Sequence, residues 1–267
     1  MHASASAVQG AGPAAAYAQF REAVAQAQVR HWLAGLGEYR ADGLIVDISG
    51  PGTNAAELAA KSGHTVLRVL PPGADRPGAA KLASERPPPD GPRPAGRVQP
   101  IAGDVSDLDF LADGCVDGVI AEDGTLSRYL GAETLVTEIA RVLRPGGRIL
   151  ACVDSLTLGM AALAQQSRWP HLVDLPHADV VLVPWPDGTM TRCYGTEQLR
   201  ELFASAGFDV GWIRPRTVFA PRTVSYLLAR DPGSFPRLVS AELRARADDS
   251  VGDQLLISAR KAYRPPP

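Results

Sequence analysis

Three places in this sequence put acidic side chains where a short apolar run ends, and these are the candidate positions for chemistry. Asp47-Ile48-Ser49-Gly50-Pro51-Gly52 closes the run that begins at Gly43, Asp104 follows the run 98–101, and Glu122-Asp123 follow the run 116–121. A carboxylate at a strand end can accept hydrogen bonds from a ligand lying across the sheet edge, and glycine lets backbone approach that ligand without a Cβ in the way. Each feature also has a plain structural reading: a strand-to-helix turn for Ser49 to Gly52, a turn cap for Asp104, solvated loop charges for Glu122 and Asp123. His171 and His177 are the candidate general bases, because imidazole titrates near neutrality. His2 lies in the N-terminal tail, and His31 and His64 read as structural.

The elements that must position these residues follow from periodicity. Residues 17–36 carry Phe20, Val24, Ala27, Trp32 and Leu33 at helical spacing, with a break expected near Gly35. Strand 43–48, helix 54–61 and strand 65–70 then make a βαβ unit, which favours a parallel sheet. Strands follow at 98–101 and 116–121, then a helix over 133–143 closed by Pro145-Gly146-Gly147, and a buried central strand over 148–153. Farther along, 155–166 reads as helix and 180–185 pairs with 190–194 as a hairpin. Helix 196–206 is capped by Thr196, 208–213 and 253–259 are strands, and 236–247 between them is helical. Eight of the 23 prolines fall in the segment 71–97, which has no apolar periodicity.

Composition narrows the class. The chain of 267 residues has 27 Lys plus Arg against 29 Asp plus Glu, so no basic excess is available to neutralise phosphates and nucleic acid is not the expected partner. No run of about 18 apolar residues suggests a membrane span, and the Ala-rich start lacks the charged head and apolar segment of a secretory signal. The expected location is therefore cytoplasmic. Cys115, Cys152 and Cys193 are odd in number and none makes a CxxC pair. Cys115 and Cys152 sit in apolar surroundings where reduced, packed thiols are common, and all three read as structural, with no metal site.

In this order and at these spacings the residues resemble the class I S-adenosylmethionine-dependent methyltransferase family over about 17–261. The most specific match is Ile139-Ala-Arg-Val-Leu-Arg-Pro-Gly-Gly-Arg148. It is supported by Gly103-Asp104, Val116-Asp117-Gly118-Val119-Ile120, and Glu197-Gln-Leu-Arg-Glu-Leu-Phe-Ala-Ser-Ala-Gly-Phe208. The resemblance implies an α/β fold: a Rossmann-like three-layer α/β/α sandwich around a seven-stranded, mostly parallel sheet with one antiparallel strand. It implies a domain over 43–262, preceded by a tail and helical cap over 1–42, interrupted by the Pro-rich insertion 71–97, and followed by a tail at 263–267. It places the acceptor pocket in 155–195, with Trp169, Trp185 and Tyr194 as lining candidates, and makes His171 and His177 its catalytic candidates.

The cofactor implied is S-adenosylmethionine, held by Asp47, Ser49, Gly50 and Gly52, by Leu70 at the ribose position, by Asp104 and Val105 at the adenine, and by Glu122. The activity implied is methyl transfer to a small-molecule acceptor; a homodimer is a family-level expectation on which composition is silent. Two departures stand out. The glycine loop is one residue short, with Ser49 for its first glycine. Leu70 stands where the family has an acid that accepts both ribose hydroxyls, and losing such a charge-assisted bond costs about 1.5–3 kcal/mol. The alternative reading is a methyltransferase-like protein that has lost methyl transfer and works as a binding or regulatory subunit, or a cofactor-independent enzyme.

Overall fold

The computed structural model describes residues 13–37, 42–50, 52–71, 96–174, 181–246 and 251–263. Helix α1 (Pro13–Gly37) leads into β1 (Leu44–Asp47), α2 (Ala55–Lys61), β2 (Thr65–Leu70), β3 (Val98–Ala102), β4 (Val116–Ala121), a short α3 (Thr125–Arg128), α4 (Ala132–Val142) and β5 (Leu143–Asp154). The second half runs α5 (Leu156–Gln165), α6 (Trp169–Asp174), β6 (Val181–Pro184), β7 (Met190–Cys193), α7 (Thr196–Ser205), β8 (Phe208–Arg216), α8 (Pro221–Arg230), α9 (Phe235–Leu243) and β9 (Gln254–Lys261).

Seven strands form one sheet in the order β3-β2-β1-β4-β5-β9-β8, and β6 and β7 pair as a separate hairpin. Strand β9 runs antiparallel to both of its neighbours, which gives the mostly parallel sheet with one reversed strand that the sequence implies. Strand order reverses between β1 and β4. The chain therefore leaves those two strands toward opposite sides, and a crevice opens beyond their carboxyl ends.

Each face of the sheet is covered by helices whose apolar residues recur every three or four positions. On one face, Leu135, Val136 and Ile139 of α4 and Leu199 and Phe203 of α7 pack on Val46, Val119, Ala151 and Ile257. On the other, Val29, Trp32, Leu33 and Leu36 of α1 join Ala55, Ala56 and Ala59 of α2 over Ile45, Ile120, Leu150 and Leu256. Helix α1 comes close to β4 because Gly118 has no side chain; a Cβ there would lie 3.1 Å from Trp32 and 3.2 Å from Leu36. Farther toward its N-terminus α1 changes partners. Ala16, Phe20 and Val24 pack with Val224 and Leu228 of α8 and with Phe235 and Leu238 of α9. One helix thus joins the sheet to a second small core.

Several details differ from the sequence reading. Helix α1 continues through Gly35 without a break. Helix α4 passes directly into β5, and Pro145-Gly146-Gly147 is a bulge within the strand: pairing jumps from Val116↔Leu143 to Gly118↔Arg148, with Gly146 at φ 81°. Gly195, not Thr196, precedes the first turn of α7, and its N–H donates to Gln198 Oε1 at 3.2 Å. Helices α3 and α6 are too short to show a period, and α8 joins the second core through only Val224 and Leu228 among its fully buried residues. Cys115 is exposed rather than packed, whereas burial pushes the thiols of Cys152 and Cys193 up to about 12. The expected insertion and tails lie largely outside the described residues, at 72–95, 1–12 and 264–267. Among the described residues no helix is long and apolar enough to cross a membrane.

Because Trp32 is the large side chain by which α1 meets β4, Trp32→Ala is expected to lower stability by about 3–5 kcal/mol, read as a shift of the urea unfolding midpoint.

Candidate functional site

The carboxyl ends of β1 and β4 are stitched together by side chains. Asp47 ends β1 fully buried; its Oδ1 accepts the Ser49 N–H at 3.0 Å, and its Oδ2 lies 3.8 Å from Nε of Arg68 on the neighbouring strand β2. Burial raises the Asp47 pKa, and the Ser49 hydrogen bonds and the Arg68 charge oppose it. Arg68 is itself buried. It donates to Glu57 Oε1 of α2 and to the Thr53 carbonyl, each at 3.0 Å, so it anchors the glycine loop to the sheet.

The serine that replaces the first glycine has a defined task. Its hydroxyl accepts the Glu122 N–H at 2.8 Å, while Thr125 Oγ1 donates to the Ile48 carbonyl at 3.1 Å. At Gly50 a Cβ would lie 2.7 Å from Asp123 Oδ2, so a larger residue there would have to push that carboxylate aside. Gly52, in contrast, has nothing within 4 Å of a Cβ position.

Above this loop lies a cavity of about 260 Å³, lined by Arg21, Glu22 and Gln26 of α1, Gly52, Thr53 and Asn54 of the loop, Glu122, Asp123, Arg216 and Gln254. Glu22 ties the roof to the loop by accepting from Asn54 Nδ2 at 2.8 Å. Deeper down, Glu122 and Arg216 form a bidentate ion pair, Nη1 to Oε2 at 2.5 Å and Nη2 to Oε1 at 3.0 Å, and Arg216 Nε donates to Gln28 Oε1 at 2.6 Å. Burial alone would lower the Arg216 pKa, but the Glu122 carboxylate outweighs it and the guanidinium is held charged.

Asp154, at the end of β5, sits beside this cluster. Its backbone N–H is fixed by Ser127 Oγ at 2.7 Å, and burial raises its carboxyl, with Gln254 and Arg128 opposing.

The expected site residues separate into three groups. Asp47, Ser49, Gly50, Gly52 and Glu122 are brought together, although the Glu122 side chain is engaged by Arg216. Leu70 ends β2 buried and apolar. Beside it Asp104 is exposed at the end of β3, accepting from Ser106 N and Oγ at 2.9 and 2.7 Å, which lowers its pKa, and Val105 packs partly against the core. Those three do not line the cavity. His171 is exposed on α6 and is not among the cavity residues, and His177 lies outside the described residues. Of the expected pocket aromatics, Trp169 is 61% exposed, Trp185 donates to Thr191 Oγ1 at 2.6 Å, and Tyr194 is buried.

Arg68, Asp154 and Arg216 were not anticipated. Arg68 and Asp154 carried a readable signal, a charge inside or at the end of an apolar strand. Arg216 carried none, because its partner is 94 residues away.

Residues 46–151 match the family model described as a methyltransferase domain. Over that stretch the chain is similar to methyltransferase domains. A demethylmenaquinone methyltransferase from Clavibacter sepedonicus is 33% identical over 170 residues, 61% of this chain and 64% of that protein. The methyltransferase match thus spans less than two thirds of that relative's length. Two solved structures share the fold. One is an S-adenosylmethionine-dependent methyltransferase from Methanosarcina mazei, with TM-score 0.54 and 17% identity, covering 84% of this chain and 95% of that one. The other is the 1,6-didemethyltoxoflavin-N1-methyltransferase of Burkholderia thailandensis, with TM-score 0.53 and 19% identity, covering 91% and 80%.

The raised Asp154 carboxyl has a signed consequence. The folded state keeps that proton to higher pH than the unfolded chain, so stability falls as pH rises through the window from the ordinary carboxylate range to the raised value. Asp154→Asn removes this loss. Thermal midpoints of variant and wild type are expected to coincide in the ordinary carboxylate range and to separate in the variant's favour as pH rises above it.

Proposed function

We propose that this protein is an S-adenosylmethionine-dependent methyltransferase acting on a small-molecule acceptor. The observation that carries the reading is the glycine loop of a matched methyltransferase domain opening, at Gly52, onto a cavity roofed by α1. The residues present fit such a cofactor at its amino-acid end. Asp47 Oδ2 is buried without a hydrogen-bond partner at the head of the loop, and Gly52 leaves space where any side chain would intrude. In this reading Asp47, Ser49, Gly50 and Gly52 hold the methionine and ribose part, Glu122 shapes the floor, and the adenine reaches out of the cavity along the strand ends to Asp104 and the Val105 backbone. Leu70 offers the ribose no hydrogen bond, so binding rests more heavily on the other contacts.

When bound, S-adenosylmethionine supplies a methyl group already activated on a sulfonium. The chain is left to align the acceptor and keep water out. Helix α1, pinned by Glu22 to Asn54 and by Gln28 to Arg216, performs the second task. A small-molecule acceptor is supported by the modest cavity and by the substrates named for the two relatives whose acceptors are known. His171 does not enter this reading, because it stands away from the cavity.

Isothermal titration is expected to show saturable binding of S-adenosylhomocysteine below millimolar; no heat at millimolar ligand overturns the proposal. Gly52→Val should leave the thermal midpoint nearly unchanged, since its side chain meets no protein atom, yet weaken S-adenosylhomocysteine at least about tenfold. Asp104→Ala is expected to weaken it about tenfold as well, and an unchanged affinity would move the adenine elsewhere.

A further inference from the structure

The Glu122–Arg216 pair is more than a latch between two strand ends. Both side chains are buried, at 4% and 5% exposure, and both still face the cavity. A guanidinium carries five N–H donors in a fixed plane. Among the described residues three are accounted for, two by Glu122 and one by Gln28, and the other two, one on Nη1 and one on Nη2, point to opposite sides of the guanidinium, so each can serve a ligand atom separately.

The backbone around Arg216 is held with unusual care. The next residue, Thr217, adopts φ 68°, a left-handed conformation that a β-branched residue rarely takes. Gly252 lies so close that a Cβ there would stand 2.7 Å from the Arg216 carbonyl. Both constraints fix the backbone from which the Arg216 side chain leaves, and Glu122 and Gln28 hold its guanidinium. Around it, Ala18, Ala25, Val29, Ala55 and Leu58 give the cavity an apolar wall. A held guanidinium with an N–H to spare, on the floor of a cavity that has one apolar wall and carries Arg21 as well as Glu22 and Asp123, suits a flat or ring-bearing molecule with one anionic oxygen, because hydrogen bonds from a charged donor are the strong ones.

We propose that Arg216, oriented by Glu122 and Gln28, is an oxyanion-binding site that takes a phenolate, enolate or carboxylate oxygen of the ligand in this cavity. Its assignment to an acceptor rests on the methyltransferase reading above. The same chemistry could also come from the carboxylate at the amino-acid end of the cofactor, and the experiment separates these sources.

The test uses the full chain and two matched probes, 4-nitrophenolate and 4-nitroanisole, which differ in the ionised oxygen. Wild type is expected to bind the phenolate at least about tenfold more tightly than the ether. Equal affinity overturns the proposal and needs no variant. In the double variant Arg216→Met/Glu122→Met both charges are removed together, so none is left buried alone. The preference is expected to vanish there, and a preference that persists in the folded double variant overturns the assignment. Repeating the wild-type titration with saturating S-adenosylhomocysteine identifies the source. A preference that survives assigns the site to the acceptor, and one that is competed away assigns it to the cofactor carboxylate. If S-adenosylhomocysteine does not bind at all, the methyltransferase reading fails while the phenolate comparison still reports on Arg216.

Discussion

Burying two opposite charges costs several kcal/mol per ion before their attraction is counted, and it is sustained only where geometry and additional hydrogen bonds are good. Glu122 and Arg216 meet that requirement. The carboxylate follows β4 at the centre of the sheet, the guanidinium ends β8 at its edge, and Gln28 brings the roof helix α1 into the same network. Three separate parts of the chain are thereby held at one point on the floor of the cavity. Removing one partner alone would leave an uncompensated charge in the core. The cost would fall on the cavity as well as on overall stability.

A second buried charge network supports the glycine loop from the other side. Arg68 reaches Asp47, Glu57 and the Thr53 carbonyl, so strand, loop and helix α2 are fixed together. This bears on the shortened loop. Where the family pattern has a further residue and a glycine, this chain has Ser49, whose hydroxyl accepts from the backbone beyond β4. The loop has lost some of the freedom glycine provides and gained a cross-strand tie. Gly50 and Gly52 then serve different ends, the first because Asp123 crowds it and the second because nothing does.

Helix α1 connects these networks to function. Its C-terminal half is part of the main core and its N-terminal half belongs to a second core with α8 and α9. Between them it presents Arg21, Glu22 and Gln26 to the cavity. Any movement that opens the cavity must break the Glu22–Asn54 bond at the rim or strain the Gln28–Arg216 bond at the base. Access to the site and the setting of its charged floor are therefore mechanically linked.

The order of elements was legible because apolar periodicity is local. Strands β2 and β4 could be placed to the residue, and the parallel sheet followed from the βαβ alternation. Gly50 and Gly52 stood out for the same reason, since a Gly-rich turn between strand and helix is written in consecutive residues. Boundaries set by competition between neighbours were less legible: the bulge at Pro145-Gly146-Gly147 depends on pairing with β4, and the uninterrupted α1 depends on what Trp32 and Leu36 find on the sheet. Long-range charge pairing could not be read at all. Arg216 looks like any surface arginine until β8 is laid beside β9 and its guanidinium reaches Glu122. The sequence by itself determined which strands and turns form and which family they resemble, because those preferences act over a few residues. Only the tertiary structure decided which charges are buried together, because that depends on which distant strand ends the sheet brings within hydrogen-bonding distance.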